Sequence, residues 1–207
     1  MKLLALFIPP QKLGLLVLGA LCALAYAPLL GAFTWVLGLI SALVMVYCVL
    51  TTSAKQAFVR AWWFSWGQFI AGLYWIYIST VYYGNAGMPL GVLLTLTLPA
   101  YLALYPALAA AIVARMTNLK WKLLVALPLA WMLGELLRGW VMTGFPWNLL
   151  AYTQLDGLLA GYFGIVGAYG VGAITTMCAG LLYFAWISPN ARQRFSWLMA
   201  FAVIMLG

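Results

Sequence analysis

Residues Leu13 to Ala54 contain no Asp, Glu, Lys or Arg, and neither do residues Ala61 to Ala114. Few folds accept uncharged runs of this length. A bilayer core about 30 Å thick is crossed by roughly 20 apolar helical residues, so each run is long enough for two crossings. The first breaks near Pro28–Gly31, the second at Tyr82-Tyr-Gly-Asn-Ala-Gly-Met-Pro89. Pro89 suits the first turn of a helix, where its missing N–H costs nothing. A fifth span is expected over Trp121–Trp140 and a sixth over Gly164–Ile187, with a seventh beginning at Phe195.

Composition agrees. Charged residues make up 6% of the 207 and apolar residues 68%, whereas a soluble domain carries about 25% charged residues to solvate its surface. The expected fold class is all-α: a polytopic transmembrane helical bundle with six complete spans and a truncated seventh. Phe195–Gly207 would form about 20 Å of helix, too short to cross. The segment therefore lies in the interface or the natural polypeptide continues, and a shortened chain is the expectation.

The net charge of +8 comes from ten Lys and Arg against two acids. Nine of the ten fall on alternate connections: Lys2 and Lys12, Lys55 and Arg60, Arg115, Lys120 and Lys122, then Arg192 and Arg194. The positive-inside tendency makes that side, and the amino terminus, cytoplasmic. Topology thus accounts for the cations, and no basic stripe interleaved with stacking aromatics suggests nucleic acid. The small-residue pattern Ala23-Leu-Ala25-Tyr-Ala27 resembles a signal cleavage site, but another apolar run follows directly, so a retained first span is expected. Cys22 follows Leu21 rather than a small residue, against lipid-attachment cleavage. The chain has no His, and Cys22, Cys48 and Cys178 sit alone in apolar runs. Zinc sites of ordinary spacing and His-based triads are excluded; no cofactor is implied.

Within the spans, Gly164, Ala168, Gly172, Thr176 and Ala179 form a stripe of small residues suited to close helix contact. Pro99 and Pro106 should each kink span four, either packing or shaping a lateral cavity. Trp66 and Phe69 lie deep in span three and need packing partners or a ligand.

The scarce polar chemistry gathers in residues 134–156. Both carboxylates, Glu135 and Asp156, flank this stretch, which the cation pattern sends outward. Glu135 and Arg138 share a helical face at i, i+3. They either neutralise each other at a helix end or let Arg138 hold an anionic lipid head group. Phe145, Trp147, Asn148, Tyr152, Gln154 and Asp156 follow in an amphipathic, Gly/Pro-broken loop. That loop is either an aromatic anchor in the head-group layer or a surface for a lipid substrate or another domain.

The segments Gly134-Glu135-Leu-Leu-Arg138-Gly139-Trp140, Thr143-Gly-Phe-Pro-Trp147 and Tyr152-Thr-Gln154-Leu-Asp156-Gly157 resemble the bacterial apolipoprotein N-acyltransferases. So do Trp66-Gly67, Trp75-Ile-Tyr77-Ile-Ser79, Gly87-Met-Pro89, Ala100-Tyr-Leu-Ala-Leu-Tyr105 and Leu24-Ala-Tyr-Ala-Pro28. The likeness runs in order through most of residues 15–187. It implies an inner-membrane enzyme with a membrane bundle, an outward nitrilase-like domain and a last span. Such an enzyme passes an acyl chain from a membrane phospholipid, through a cysteine thioester, to the amino group of a diacylglyceryl apolipoprotein. Its Glu–Lys–Cys chemistry belongs to the nitrilase-like domain, which these 207 residues do not match, so no catalytic residue carries over. No substitute triad is expected, since every Lys falls on the cytoplasmic side while Glu135 lies near the opposite face, about 20 Å away along span five. The chain alone is expected not to transfer acyl groups. The resemblance leaves another reading, a membrane scaffold for a polyprenol-phosphate glycosyltransferase. A transporter is disfavoured, because only Glu135–Arg138 approaches an intramembrane ionisable site.

Overall fold

The computed structural model describes residues 9–27, 31, 33–51 and 53–206, and these are helical with no β-strand. Lys2 and most of the expected first break, Pro28 to Leu30, lie outside the described residues. Helix α1 (Pro10–Cys22) runs on as a 3-10 turn to Tyr26 and is followed by α2 (Thr34–Val49) and α3 (Ala54–Gly72). Then come a short α4 (Trp75–Ile78), α5 (Met88–Leu102), α6 (Leu104–Ala114), one turn of α7 (Leu119–Trp121) and α8 (Leu127–Arg138). The chain ends in α9 (Phe163–Ile187) and α10 (Ala191–Leu206). Met88–Ala114 and Ala160–Ile187 are each long and apolar enough to cross a membrane, while Pro10–Tyr26 and Thr34–Val49 are apolar but shorter.

Local chemistry sets the breaks. Ser53 caps α3 by accepting from the Gln56 N–H at 3.3 Å, and Asn118 caps α7 in the same way through Trp121. The helical ladder gives way at Ala103, between Pro99 and Pro106, as expected where proline removes a donor. Two interruptions were not expected. Span three stops at Gly72 and restarts as α4 and a π turn over Ser79–Tyr83. Span five opens into a π turn over Lys122–Ala126, just before Pro128 withholds its N–H.

The helices pack as a bundle in which α3 touches α1, α5 and α6, α8 lies between α6 and α9, and α9 also contacts α2 and α10. Met45, Phe64, Leu123, Leu127 and Leu150 fill the main core. At Gly19 and Gly67 a methyl group would strike the facing backbone of α3 or α1, so these two helices meet backbone to backbone. Trp66 donates to the Leu96 carbonyl and Trp62 to that of Ala100, both at 3.1 Å, tying α3 to α5. The expected small-residue stripe on span six holds only in part. Gly172, Thr176 and Ala179 are buried, but Gly164 is exposed with open space around it. Gly167 (φ 65°) interrupts the helix between them, so the register assumed for an unbroken helix fails. Helix α10 folds back on α9: Trp197 stacks on Phe184 at 5.0 Å, and Met205 is buried.

Lys122, expected on a polar connection, is 3% exposed. Its Nζ donates to the carbonyls of Val49 (3.3 Å) and Ala114 (3.0 Å), the last residues of α2 and α6. It ties two helix C-terminal ends, where the backbone dipoles favour a cation.

Candidate functional site

At the other end of α8, Gly139 closes the helix and the chain turns back. Met142 (φ 53°), Thr143 (φ 72°) and Gly144 (φ 79°) all take left-handed backbone conformations, as does Asn148 (φ 54°). Such residues cost of order 1–3 kcal/mol each when they are not glycine and persist only where surrounding contacts hold them. A methyl on Gly144 would strike the Gly139 carbonyl, so only glycine fits there. The turn closes where the Phe145 N–H donates to the Arg138 carbonyl at 2.8 Å.

Arg138 supplies the holding contacts. It is 2% exposed and Glu135 5% exposed. One guanidinium nitrogen, Nη1, donates to the carbonyls of Phe145 (3.1 Å) and Trp147, and Nη2 reaches that of Asn148 at 3.5 Å. Nη2 also lies 3.9 Å from Glu135 Oε1, and the guanidinium sits 5.0 Å over the Phe69 ring. Glu135 Oε1 accepts the Leu150 N–H at 2.8 Å. The expected pair therefore exists, but most of Arg138's donors are spent on the loop backbone. A planar fork of five donors on separate nitrogens reaches three carbonyls and a carboxylate spread around it, a span that the single nitrogen of a lysine does not cover.

The aromatic residues of the loop stack on one another and on α4. Phe145 and Trp147 lie 4.9 Å apart, and Trp75 lies 6.5 Å from Phe145 and 6.1 Å from Trp147. Trp147 remains 50% exposed. Beyond it, Leu150–Gln154 forms a buried 3-10 turn against α2 and α9, in which Gln154 donates to the Trp35 carbonyl at 3.3 Å. Tyr152 and Asp156 point outward.

Two spaces meet at Asn148. An open groove of about 510 Å³ is lined by Tyr26, Thr34, Trp147, Asn148, Tyr152 and Asp156. Behind the loop lies a small cavity with room for about 20 Å³, bordered among others by Ser65, Trp131, Glu135 and Asn148. Ser65 Oγ, Trp131 Nε1, Glu135 Oε2 and Asn148 Nδ2 make no hydrogen bond among the described residues. That volume is the size that holds one water, and the four groups offer it donors and acceptors.

Four of the eight residues expected at the site (Trp147, Asn148, Tyr152, Asp156) thus line the groove. Glu135, Arg138 and Gln154 are buried behind it, and Phe145 joins the aromatic stack. Sequence reasoning missed Trp131, four residues before Glu135 on the same helical face, and Trp75 as the support of the loop. The first was available from spacing; the second is a contact between distant segments.

This arrangement defines an all-helical membrane domain that presents a loop, pinned from within by a buried Glu–Arg pair, beside an open groove. Comparison with known proteins makes the assignment specific. Residues 18–181 match the apolipoprotein N-acyltransferase N-terminal domain. The apolipoprotein N-acyltransferase of Vibrio cholerae is 36% identical over 184 residues, which are 88% of this chain and 35% of that protein. That of Pseudomonas putida is 36% identical over 206 residues, covering 96% of this chain and 39% of the relative. That of Methylococcus capsulatus is 34% identical over 192 residues, 91% of this chain and 37% of the relative. The chain belongs to the apolipoprotein N-acyltransferase family and spans little more than a third of the length of these relatives.

Proposed function

We propose that these residues form the membrane part of a phospholipid-dependent acyltransferase that N-acylates the diacylglyceryl cysteine of apolipoproteins. In this reading the bundle sits in the bacterial inner membrane with its amino terminus in the cytoplasm and residues 139–156 at the periplasmic face. The groove receives the head-group region of a lipid substrate. Trp147, Tyr152 and Asp156 face it, with Asn148 at its inner edge. Phe145 and Trp147 form the surface on which the nitrilase-like domain docks. Glu135, Arg138 and Gln154 act by holding that surface in shape. The bundle supplies binding and position rather than bond-making: Cys22, Cys48 and Cys178 are all buried, so none offers an accessible thiolate, and the 207 residues alone transfer no acyl group.

The observation that carries this reading is the convergence of Trp147, Asn148, Tyr152 and Asp156 on one open groove beside a pinned loop. The test replaces the matching third of the Pseudomonas putida relative with this chain and follows acyl transfer from phosphatidylethanolamine to a diacylglyceryl peptide. An active chimera is expected, with Trp147→Ala and Tyr152→Ala slowing transfer at least tenfold, the order of one lost anchoring contact of 1.4 kcal/mol. A membrane-inserted chimera without activity, or one indifferent to both substitutions, would contradict it.

A further inference from the structure

The opposite end of the bundle holds a second groove. Lys122 bonds the last carbonyls of α2 and α6 there, and α3 begins a few residues after α2 ends. Between Gln11–Leu15 of α1 and Lys55–Arg60 of α3, with Tyr47 of α2 at one side, lies an open space of about 460 Å³. It is separate from the loop groove and shares no residue with it.

Its lining is one-sided in charge. Lys12, Lys55 and Arg60 converge from two helices, and Gln11, Gln56 and Tyr47 add polar hydrogen. Gln56 Oε1 already accepts from Thr51 Oγ1 at 2.8 Å, which turns its amide nitrogen into the available group. The Arg60 guanidinium lies 4.8 Å over the Tyr47 ring, fixing one cation at the rim. No carboxylate lines the groove; both acids of the chain, Glu135 and Asp156, belong to the 134–156 stretch. Topology requires cations on this end but not that three of them share one groove with an apolar floor of Leu15 and Val59.

We infer that this groove binds the phosphate of an anionic phospholipid, its acyl chains lying along the apolar surface of α1 and α3. Charge complementarity selects the phosphate, and the apolar floor selects a lipid over a free ion. The inference needs this end of the bundle to lie at the membrane surface but does not rest on acyl transfer, so it stands or falls apart from the proposed activity.

The test uses the whole 207-residue chain in detergent, with native mass spectrometry reading retention of dioleoylphosphatidylglycerol. Each cation near a lipid phosphate contributes on the order of 1 kcal/mol, or about fivefold in affinity. Exposed Lys55→Gln should therefore weaken retention about fivefold and Lys12→Gln with Arg60→Gln about 25-fold, while Arg60→Lys keeps most of it. Arg115→Gln with Lys120→Gln, on another connection at the same end, should leave it unchanged, and uncharged dioleoylglycerol should not be retained. Equal losses from the Arg115 and Lys120 pair, no loss from Lys55→Gln, or complete displacement by inorganic phosphate would each overturn the inference.

Discussion

Arg138 and Lys122 are both buried cations on the same stretch of chain, and they are used differently. Lys122 donates to the ends of two regular helices, where a compact point charge meets two carbonyls already presented by the dipoles. Arg138 gathers three carbonyls from an irregular loop and has a carboxylate beside it. The difference shows which end of the bundle is scaffold and which must hold a shape that the backbone does not favour. Left-handed residues at 142–144 and 148 would relax without Arg138, whereas α2 and α6 remain helices without Lys122.

The sharpest way to break this contrast is Arg138→Leu. It leaves Glu135 buried without its partner and frees three carbonyls, a loss of about 3–5 kcal/mol, and the loop should become the first site of protease cleavage in detergent. Arg138→Lys should rescue little, since an ammonium cannot span the three acceptors. Lys122→Met should lower stability by about 1.5–3 kcal/mol, the range for hydrogen bonds to a charged group, as a lower thermal midpoint with cleavage of the loop unchanged. Gly72→Ala sets a methyl against the Asn148 side chain. It should cost about 1–3 kcal/mol by overpacking and enlarge the accessible groove, read by labelling a cysteine placed at Asp156. Trp75→Leu is the mildest: losing the stack under Phe145 and Trp147 should cost about 0.5–1.5 kcal/mol and shift the tryptophan emission of the loop.

The uncharged runs made the helices legible, because lipid-length stretches without charge have few alternatives to a helix. The Glu135–Arg138 pair was legible for a local reason, their shared helical face. What Arg138 chiefly binds was not, since its acceptors are backbone carbonyls that any residues could carry. Lys122 read as a topological charge; it opens the π turn before Pro128 and is buried with its Nζ on two carbonyls of distant helices, contacts that no count of cations shows. The small-residue stripe failed at Gly164 because Gly167 breaks the register. The groove residues were recognisable as a cluster of scarce polar groups, but their convergence with Tyr26 and Thr34 required the fold.

The loop is held by Arg138 with Glu135 behind it, and amide hydrogen exchange at Phe145 and Leu150 measures this directly. Those two N–H groups donate to the Arg138 carbonyl and to Glu135 Oε1. With the intact chain in detergent both amides should exchange slowly. In Arg138→Gln they should exchange about a hundredfold faster, the equivalent of roughly 3 kcal/mol, while amides within Val171–Phe184 keep their protection. Equal protection of Phe145 and Leu150 in the two proteins would contradict the account.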